Sequence, residues 1–226
     1  MSPRRSYRAQ LQNLQDRIHQ MSEMTVAQLD GAVEVLGSGD VEAAQTVVDA
    51  DHDLNDLYLD IEHQCIELLA LQQPVAGDLR LIAASFKIIT DLERVGDLAV
   101  NLAQYAEDEE ETAYVAPEIE ALATVAREML LDAMTAYEEE NATMCRAIYR
   151  RDDELDARCR AAGEDVVRKL LADEPATLAE DEVRDVVASA SRALLTIRDL
   201  ERVGDHAVNI AARTYYMIEN DDELIY

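Results

Sequence analysis

A chain of 226 residues, 49% of them hydrophobic, has enough apolar material for a substantial core, so a formal net charge of −28 does not mark it as disordered. That charge excludes unaided nucleic-acid binding, which needs a basic footprint. One Phe, no Trp, seven Gly and four Pro, beside abundant Ala, Leu, Glu, Asp and Arg, exclude a β-rich fold and point to an all-α one.

From Tyr7 to Leu36 the apolar residues Leu11, Leu14, Ile18, Met21, Val26, Leu29, Val33 and Leu36 recur mostly three or four apart, which predicts a long amphipathic helix. Gly37-Ser38-Gly39 stops it, and Asp40 suits the N-cap of a second helix running to about Leu71. Gln72-Gln73-Pro74 is a tight break, with Pro74 suited to the first turn of a third helix. That helix carries Leu79, Ile82, Phe86 and Ile89 and fades in the acidic run Glu107 to Glu111. The second half repeats the plan: a fourth helix from Pro117 to about Glu140, a fifth from Ala142 to Leu171, a break at Asp173-Glu174-Pro175-Ala176, and a sixth from Glu180 to Glu219. Helices of roughly 25 to 38 residues would be about 40 to 55 Å long at 1.5 Å per residue. The expected architecture is two tandem antiparallel three-helix bundles, residues 1–111 and 112–226.

The acidity is dispersed over every segment, and Lys87 and Lys169 are the only lysines. A carboxylate surface nearly free of Lys suits a high-salt, halophilic host, where screening over roughly 3 Å at molar ionic strength removes self-repulsion. Cys65, Cys145 and Cys159 lack CxxC spacing, so reduced, partly buried thiols are expected rather than disulfides or thiolate zinc. Met1 to Gln10 has no apolar signal core and no run reaches membrane-spanning length, so a cytoplasmic location is expected.

One stretch in the third helix organises the chain. Asp91-Leu92-Glu93-Arg94-Val95-Gly96-Asp97-Leu98-Ala99-Val100-Asn101-Leu102-Ala103 returns 108 residues later as Asp199-Leu200-Glu201-Arg202-Val203-Gly204-Asp205-His206-Ala207-Val208-Asn209-Ile210-Ala211. Only Leu98/His206 and Leu102/Ile210 differ. Core packing specifies the buried face alone, so repetition of Glu, Arg, Asp and Asn implies a second constraint. On a helical wheel Leu92, Val95, Leu98, Ala99 and Leu102 share one side, while Glu93, Asp97 and Asn101 form a stripe on the other. Like charges four apart repel by a few tenths of a kcal/mol, so the stripe calls for a cation; Arg94 supplies part, and a hard metal ion would supply more.

Partner pairs stand on the preceding helices: Asp51 and Asn55 on the second, Asp152 and Asp156 on the fifth. The midpoint of Asp51 and Asn55 lies about 20 residues before the turn near Gln73, and that of Glu93 and Asp97 about 22 after it, so antiparallel helices of equal rise set them side by side. In the second half the offsets from a turn near Ala176 are about 22 and 27, a poorer match. Each bundle would thus present oxygen ligands from two helices to one patch. The competing reading of these acids is a solvated helix face with intrahelical Arg pairs. Gly96 and Gly204 each cost helix stability by about 1 kcal/mol relative to Ala, which suggests close helix packing or access to the cluster. His206 either adds a nitrogen ligand beside Asp205 or is a surface residue. Asp78 and Arg80 are expected to fix the start of the third helix, and Tyr215, Tyr216 and Met217 to be core and interface residues.

The doubled motif, with Gln73-Pro74-Val75-Ala76-Gly77-Asp78-Leu79-Arg80 at the hairpin and Ile148-Tyr149-Arg150-Arg151-Asp152 through Asp156 in the second half, resembles the PhoU family of phosphate-uptake regulators over almost the whole chain. The resemblance implies two three-helix bundles and no known catalytic activity. It also implies a role in repressing phosphate import at the cytoplasmic side of a phosphate ABC transporter, with a sensor kinase as a partner where the host has one. It further implies multinuclear iron or zinc clusters held by E(D)xxxD motifs, here Asp51, Glu93 and Asp97 in the first half and Asp152, Asp156, Glu201 and Asp205 in the second. Asn55 stands where the full motif has Asp, so the first site is expected to be weaker or differently filled. A homodimer, peripheral to a membrane at most, completes the expectation. Two further readings compete: a ferritin-like di-metal protein, which should show a Glu-x-x-His pair absent here, and a structural scaffold whose acids only confer solubility.

Overall fold

The computed structural model describes residues 3–74, 76–105, 117–172 and 179–225. They form six helices and, among the described residues, no strand: α1 (Pro3–Ser38), α2 (Val41–Gln72), α3 (Ala76–Tyr105), α4 (Pro117–Glu138), α5 (Ala142–Ala172) and α6 (Glu180–Glu219). The all-α expectation and the six elements are borne out. Lengths run from 22 residues in α4 to 40 in α6, a wider spread than the spacing suggested. The boundary placed between residues 111 and 112 and the fading run Glu107 to Glu111 lie outside the described residues, as does the break Asp173-Glu174-Pro175-Ala176.

The connections follow from local chemistry. Asp40 caps α2: its Oδ1 accepts from the backbone N–H groups of Glu42 at 3.0 Å and Ala43 at 3.1 Å. Gly39, at φ +66°, supplies the left-handed residue that turns the chain out of α1, and its N–H reaches the Val35 carbonyl at 2.8 Å. Gln73 is left-handed at the end of α2, and Pro74 falls in the connection rather than in the first turn of α3, which begins at Ala76. At the start of α6 the Glu182 carboxylate accepts from the Ala179 N–H at 2.7 Å, tying down a donor the helix leaves open.

α1, α2 and α3 pack mutually, as do α4, α5 and α6, and the two bundles join along α3 against α6 and α1 against α4. Each motif helix therefore touches both partners in its own bundle and its counterpart in the other. The apolar side expected for α3 is buried as the wheel places it: Leu92, Val95, Ala99 and Leu102 have no exposed surface, and Leu98 is 1% exposed. The two bundles share a polar seam. The Asp91 carboxylate meets His206 Nδ1 at 2.9 Å and accepts from Asn209 Nδ2 at 3.3 Å. Its repeat counterpart Asp199, fully buried, accepts from the Tyr105 hydroxyl at 3.0 Å and from Arg198 at 2.8 Å. On the other contact, Arg127 of α4 grips the Asp30 carboxylate of α1 with two N–H groups, one at 2.8 Å. Arg80 does not stay in the first turn of its own helix: its Nε donates to the Met217 carbonyl of α6 at 3.2 Å.

Tyr215 and Met217 are buried, with Tyr216 partly so. Cys65, Cys145 and Cys159 are unpaired and fully buried, more than expected, and burial pushes the Cys65 and Cys159 thiols up to about 12. No helix among the described residues is long and apolar enough to cross a membrane. Replacing Asp40 by Ala should cost about 1 kcal/mol through loss of its cap bonds, read as a lower midpoint in urea unfolding at fixed salt.

Candidate metal centre

The repeat positions two packing contacts that determine where the acids fall. A Cβ added to Gly204 on α6 would lie closer than 3.0 Å to Leu155 Cδ2 on α5 and 3.6 Å from Asp152 Oδ1. One added to Gly96 on α3 would likewise lie closer than 3.0 Å to Leu54 Cδ2 on α2 and 3.5 Å from Asp51 Oδ1. Leu54 and Leu155 are buried to 1% and 0% exposure, so neither can swing into solvent to make room. The glycines thus let a leucine from the neighbouring helix press against the motif helix backbone, and the aspartate three positions before each leucine follows it to the motif stripe. Of the two roles weighed for these glycines, close packing and access to the acids, one contact serves both.

In the second half the acids converge. Asp152 and Asp156 of α5 and Asp205 of α6 each place a carboxylate oxygen within 4.8 Å of the others. Among the described residues no other three acid, His or Cys side chains are brought together in this way. Asp152 Oδ1 is buried and has no hydrogen-bond partner among them. Its carboxyl is pushed up to about 6, first by burial and then by the charges of Asp156 and Asp205. Glu201 and Asp205 are also raised, burial leading and Asp156 following. Arg202, which neighbours Glu201, instead reaches Asp199 at 3.8 Å. A buried anionic oxygen with no donor, among mutually repelling carboxylates, is the electrostatic condition a hard cation relieves. This donor set fits a metal ion.

The first half differs. Asp51 Oδ2 accepts from Asn55 Nδ2 at 2.7 Å, and Asp51 Oδ1 faces Gln28 Nε2 of α1 at 3.4 Å. Asn55, expected as an oxygen ligand, thus serves as a donor to its neighbour. Arg94 bridges Glu93 at 3.6 Å and Asp97 at 3.3 Å. Glu93 is raised by burial and by Asp97 and Asp51, with Arg94 acting in the opposite direction. The offsets from the hairpin matched better in this half, yet the tighter convergence is in the other. Side-chain chemistry, rather than helix register, makes the difference: an amide at position 55 draws Asp51 into a hydrogen bond, whereas Asp156 can only repel Asp152. His206 is 16% exposed rather than a surface residue, and its Nδ1 meets Asp91.

Gln28 and the seam residues Asp91, Tyr105 and Asn209 escaped the sequence reading. Gln28 lies in α1, outside the repeat. Asp91 and Asn209 do belong to it, and their recurrence was a signal for an interface.

The pH dependence has a definite sign. The Asp152 carboxyl holds a proton in the folded chain up to about 6, against an ordinary value of 3.8, so between these values the folded state binds more protons. Stability of chelator-treated protein should therefore fall as pH rises from about 4 through about 6, and Asp152→Asn should flatten that slope in unfolding curves at constant salt. Gly204→Val should cost about 1–3 kcal/mol by overpacking Leu155. Gly163→Ala, whose Cβ would meet Leu194 at an ordinary 3.7 Å, should instead gain up to about 1 kcal/mol in the same assay.

Comparison with known proteins agrees with this arrangement of helices. A model of the PhoU domain matches residues 18–106 and 119–214. The chain is 32% identical over 219 residues to the phosphate-specific transport system accessory protein PhoU homolog 1 of Methanothermobacter thermautotrophicus, covering 96% of this chain and 95% of that one. It is 28% identical over 218 residues to the accessory protein PhoU of Escherichia coli, covering 96% and 86%. The crystal structure of PhoU from Pseudomonas aeruginosa matches with a TM-score of 0.86 at 28% identity, covering 95% of this chain and 100% of that one.

Proposed function

The chain belongs to the PhoU family, and from that premise we propose that it is a metal-binding accessory protein that represses phosphate uptake by a phosphate-specific transport system. Its relatives carry the name of transport-system accessory proteins, which supports the regulatory role over an enzymatic one. The observation that carries the metal-binding part is the second-repeat cluster, where Asp152 Oδ1 is buried without a donor and faces two further carboxylates.

Asp152, Asp156 and Asp205 would hold the metal, with Glu201 on the same helix face as Asp205 available to widen the donor set to a multinuclear iron or zinc cluster. All are oxygen donors, which suits ferric or divalent ions. Bound there, such a group would supply positive charge that joins α5 to α6. The chain's own residues set the rest. Gly204 and Leu155 hold the two helices at contact, and burial of Asp152 keeps the site sensitive to protons near pH 6.

The partners proposed are the cytoplasmic components of a phosphate ABC transporter, and a sensor kinase where one is present, with the protein acting as a homodimer at the membrane surface. A net charge of −28 favours protein surfaces over nucleic acid as partners. The same charge, dispersed and almost free of Lys, supports a salt-adapted host. A scaffold whose acids only confer solubility gives no reason to bury a carboxylate oxygen, and the ferritin-like reading lacks its Glu-x-x-His pair.

The test is genetic and physical together. In phosphate-replete medium, a host strain lacking the gene should take up phosphate faster than its parent. Wild type should restore repression, and Asp152→Asn/Asp156→Asn/Asp205→Asn should not. Affinity-purified wild type should retain the transporter's ATPase component. Unchanged uptake on deletion would contradict the proposal, as would full repression by the triple variant.

A further inference from the structure

The two repeats have nearly the same motif, but the acids of their sites are differently partnered. We infer that the metal centre is confined to the second repeat, and that Asn55, Gln28 and Arg94 close its counterpart in the first by filling it with the protein's own donors. The inference rests on the metal-binding reading above.

The amide orientations in the first repeat are dictated by their partners. Gln28 Nε2 donates to the Val47 carbonyl at 3.1 Å, an oxygen that can only accept. The same nitrogen faces Asp51 Oδ1, and Asn55 Nδ2 faces Asp51 Oδ2. Flipping either amide would set oxygen against carboxylate or carbonyl oxygen, so both nitrogens are held toward Asp51. Both Asp51 oxygens are thus engaged by uncharged donors, and the oxygen left without a donor in this repeat is the neutral amide oxygen of Gln28 rather than a carboxylate. A metal ion there would have to displace the Asn55 bond and face the amide nitrogen of Gln28, which has no lone pair to offer.

The remaining acids of the first site are answered by charge. Arg94 lies between Glu93 and Asp97 and supplies the positive charge a metal would bring. Its repeat counterpart Arg202 turns instead to the buried Asp199. Glu201 and Asp205 feel Arg160, Arg202 and His206 at longer range, but no guanidinium bridges the two acids as Arg94 bridges Glu93 and Asp97. Asp51, Glu93 and Asp97 accordingly do not form a close carboxylate group of the kind that Asp152, Asp156 and Asp205 form.

The second repeat has none of these devices. Asp156 replaces the amide of Asn55 with a carboxylate, and nothing from α4 donates to Asp152, whose Oδ1 lacks any partner among the described residues. The asymmetry therefore rests on a sequence difference, Asn55 against Asp156, and on one residue outside the repeat, Gln28. In one repeat the carboxylates are engaged by amides and a guanidinium. In the other, three carboxylates face one another, and a bound cation would compensate them.

The test is metal content after loading with Zn2+ in molar salt and removal of excess by gel filtration, with circular dichroism to verify folding. Asp152→Asn/Asp205→Asn should fall to background, whereas Glu93→Gln/Asp97→Asn should retain the wild-type content. Asn55→Asp/Arg94→Gln, which gives the first repeat the acids of the second and removes its guanidinium, should raise content about twofold. Loss of a substantial share of the metal in Glu93→Gln/Asp97→Asn would overturn the inference while leaving the metal-binding reading intact. No gain in Asn55→Asp/Arg94→Gln would overturn the assignment of closure to those side chains. Absence of Zn2+ from wild type would instead remove the metal-binding reading itself.

Discussion

The structure depends on a leucine pressed against a glycine, made twice. Leu54 on Gly96 and Leu155 on Gly204 set the spacing between the second and third helix of each bundle, at a separation an alanine would already obstruct. The helix-propensity cost of glycine, about 1 kcal/mol at each position, is set against burial of a leucine worth roughly 2 kcal/mol and against the placement of an aspartate. Because Asp51 and Asp152 stand three residues before those leucines, the same contact that closes the core brings a carboxylate beside the motif acids. Packing and site chemistry are thus consequences of one approach, and charged residues recur with apolar ones for that reason.

The repeat also serves the join between the bundles. Its first and last polar residues face across the molecule: Asp91 to His206 and Asn209, and Asp199 to Tyr105. The two positions flanking the acid stripe therefore fix how α3 and α6 lie together, while the stripe between them faces α2 or α5. His206, one of the two departures from exact repetition, belongs to this seam. A leucine in its place, as at Leu98, could not meet the Asp91 carboxylate. The pseudo-symmetry is broken where a polar pair replaces an apolar contact.

Much of this was legible from residue spacing. The apolar period located all six helices, Asp40 announced a cap, and Gly96 and Gly204 announced a close approach through their cost. Hairpin counting brought Asp51 to the level of Glu93 and Asp97, and Asn55 was visible as the departure that makes the first site different. The rest depends on which neighbour a side chain turns toward, and spacing along one helix carries no information about that. Arg94 and Arg202 occupy equivalent positions, yet one folds over its own stripe and the other turns to Asp199 in the seam. Gln28 reaches Asp51 from α1, a helix with no part in the repeat, and no periodicity in its own segment marks it. The contact of His206 with Asp91 across the seam is likewise tertiary and has no sign in the spacing of its own helix.

Two sites of common design are chemically unequal: the carboxylates of one are engaged by amides and a guanidinium, while those of the other converge and include a buried oxygen without a donor. Anomalous diffraction from crystals grown with zinc, recorded on both sides of the zinc absorption edge, tests this inequality most directly. The expected result is a peak bounded by Asp152, Asp156 and Asp205, and none between Asp51, Glu93 and Asp97. Equal peaks at both positions, or a peak at the first alone, would contradict it.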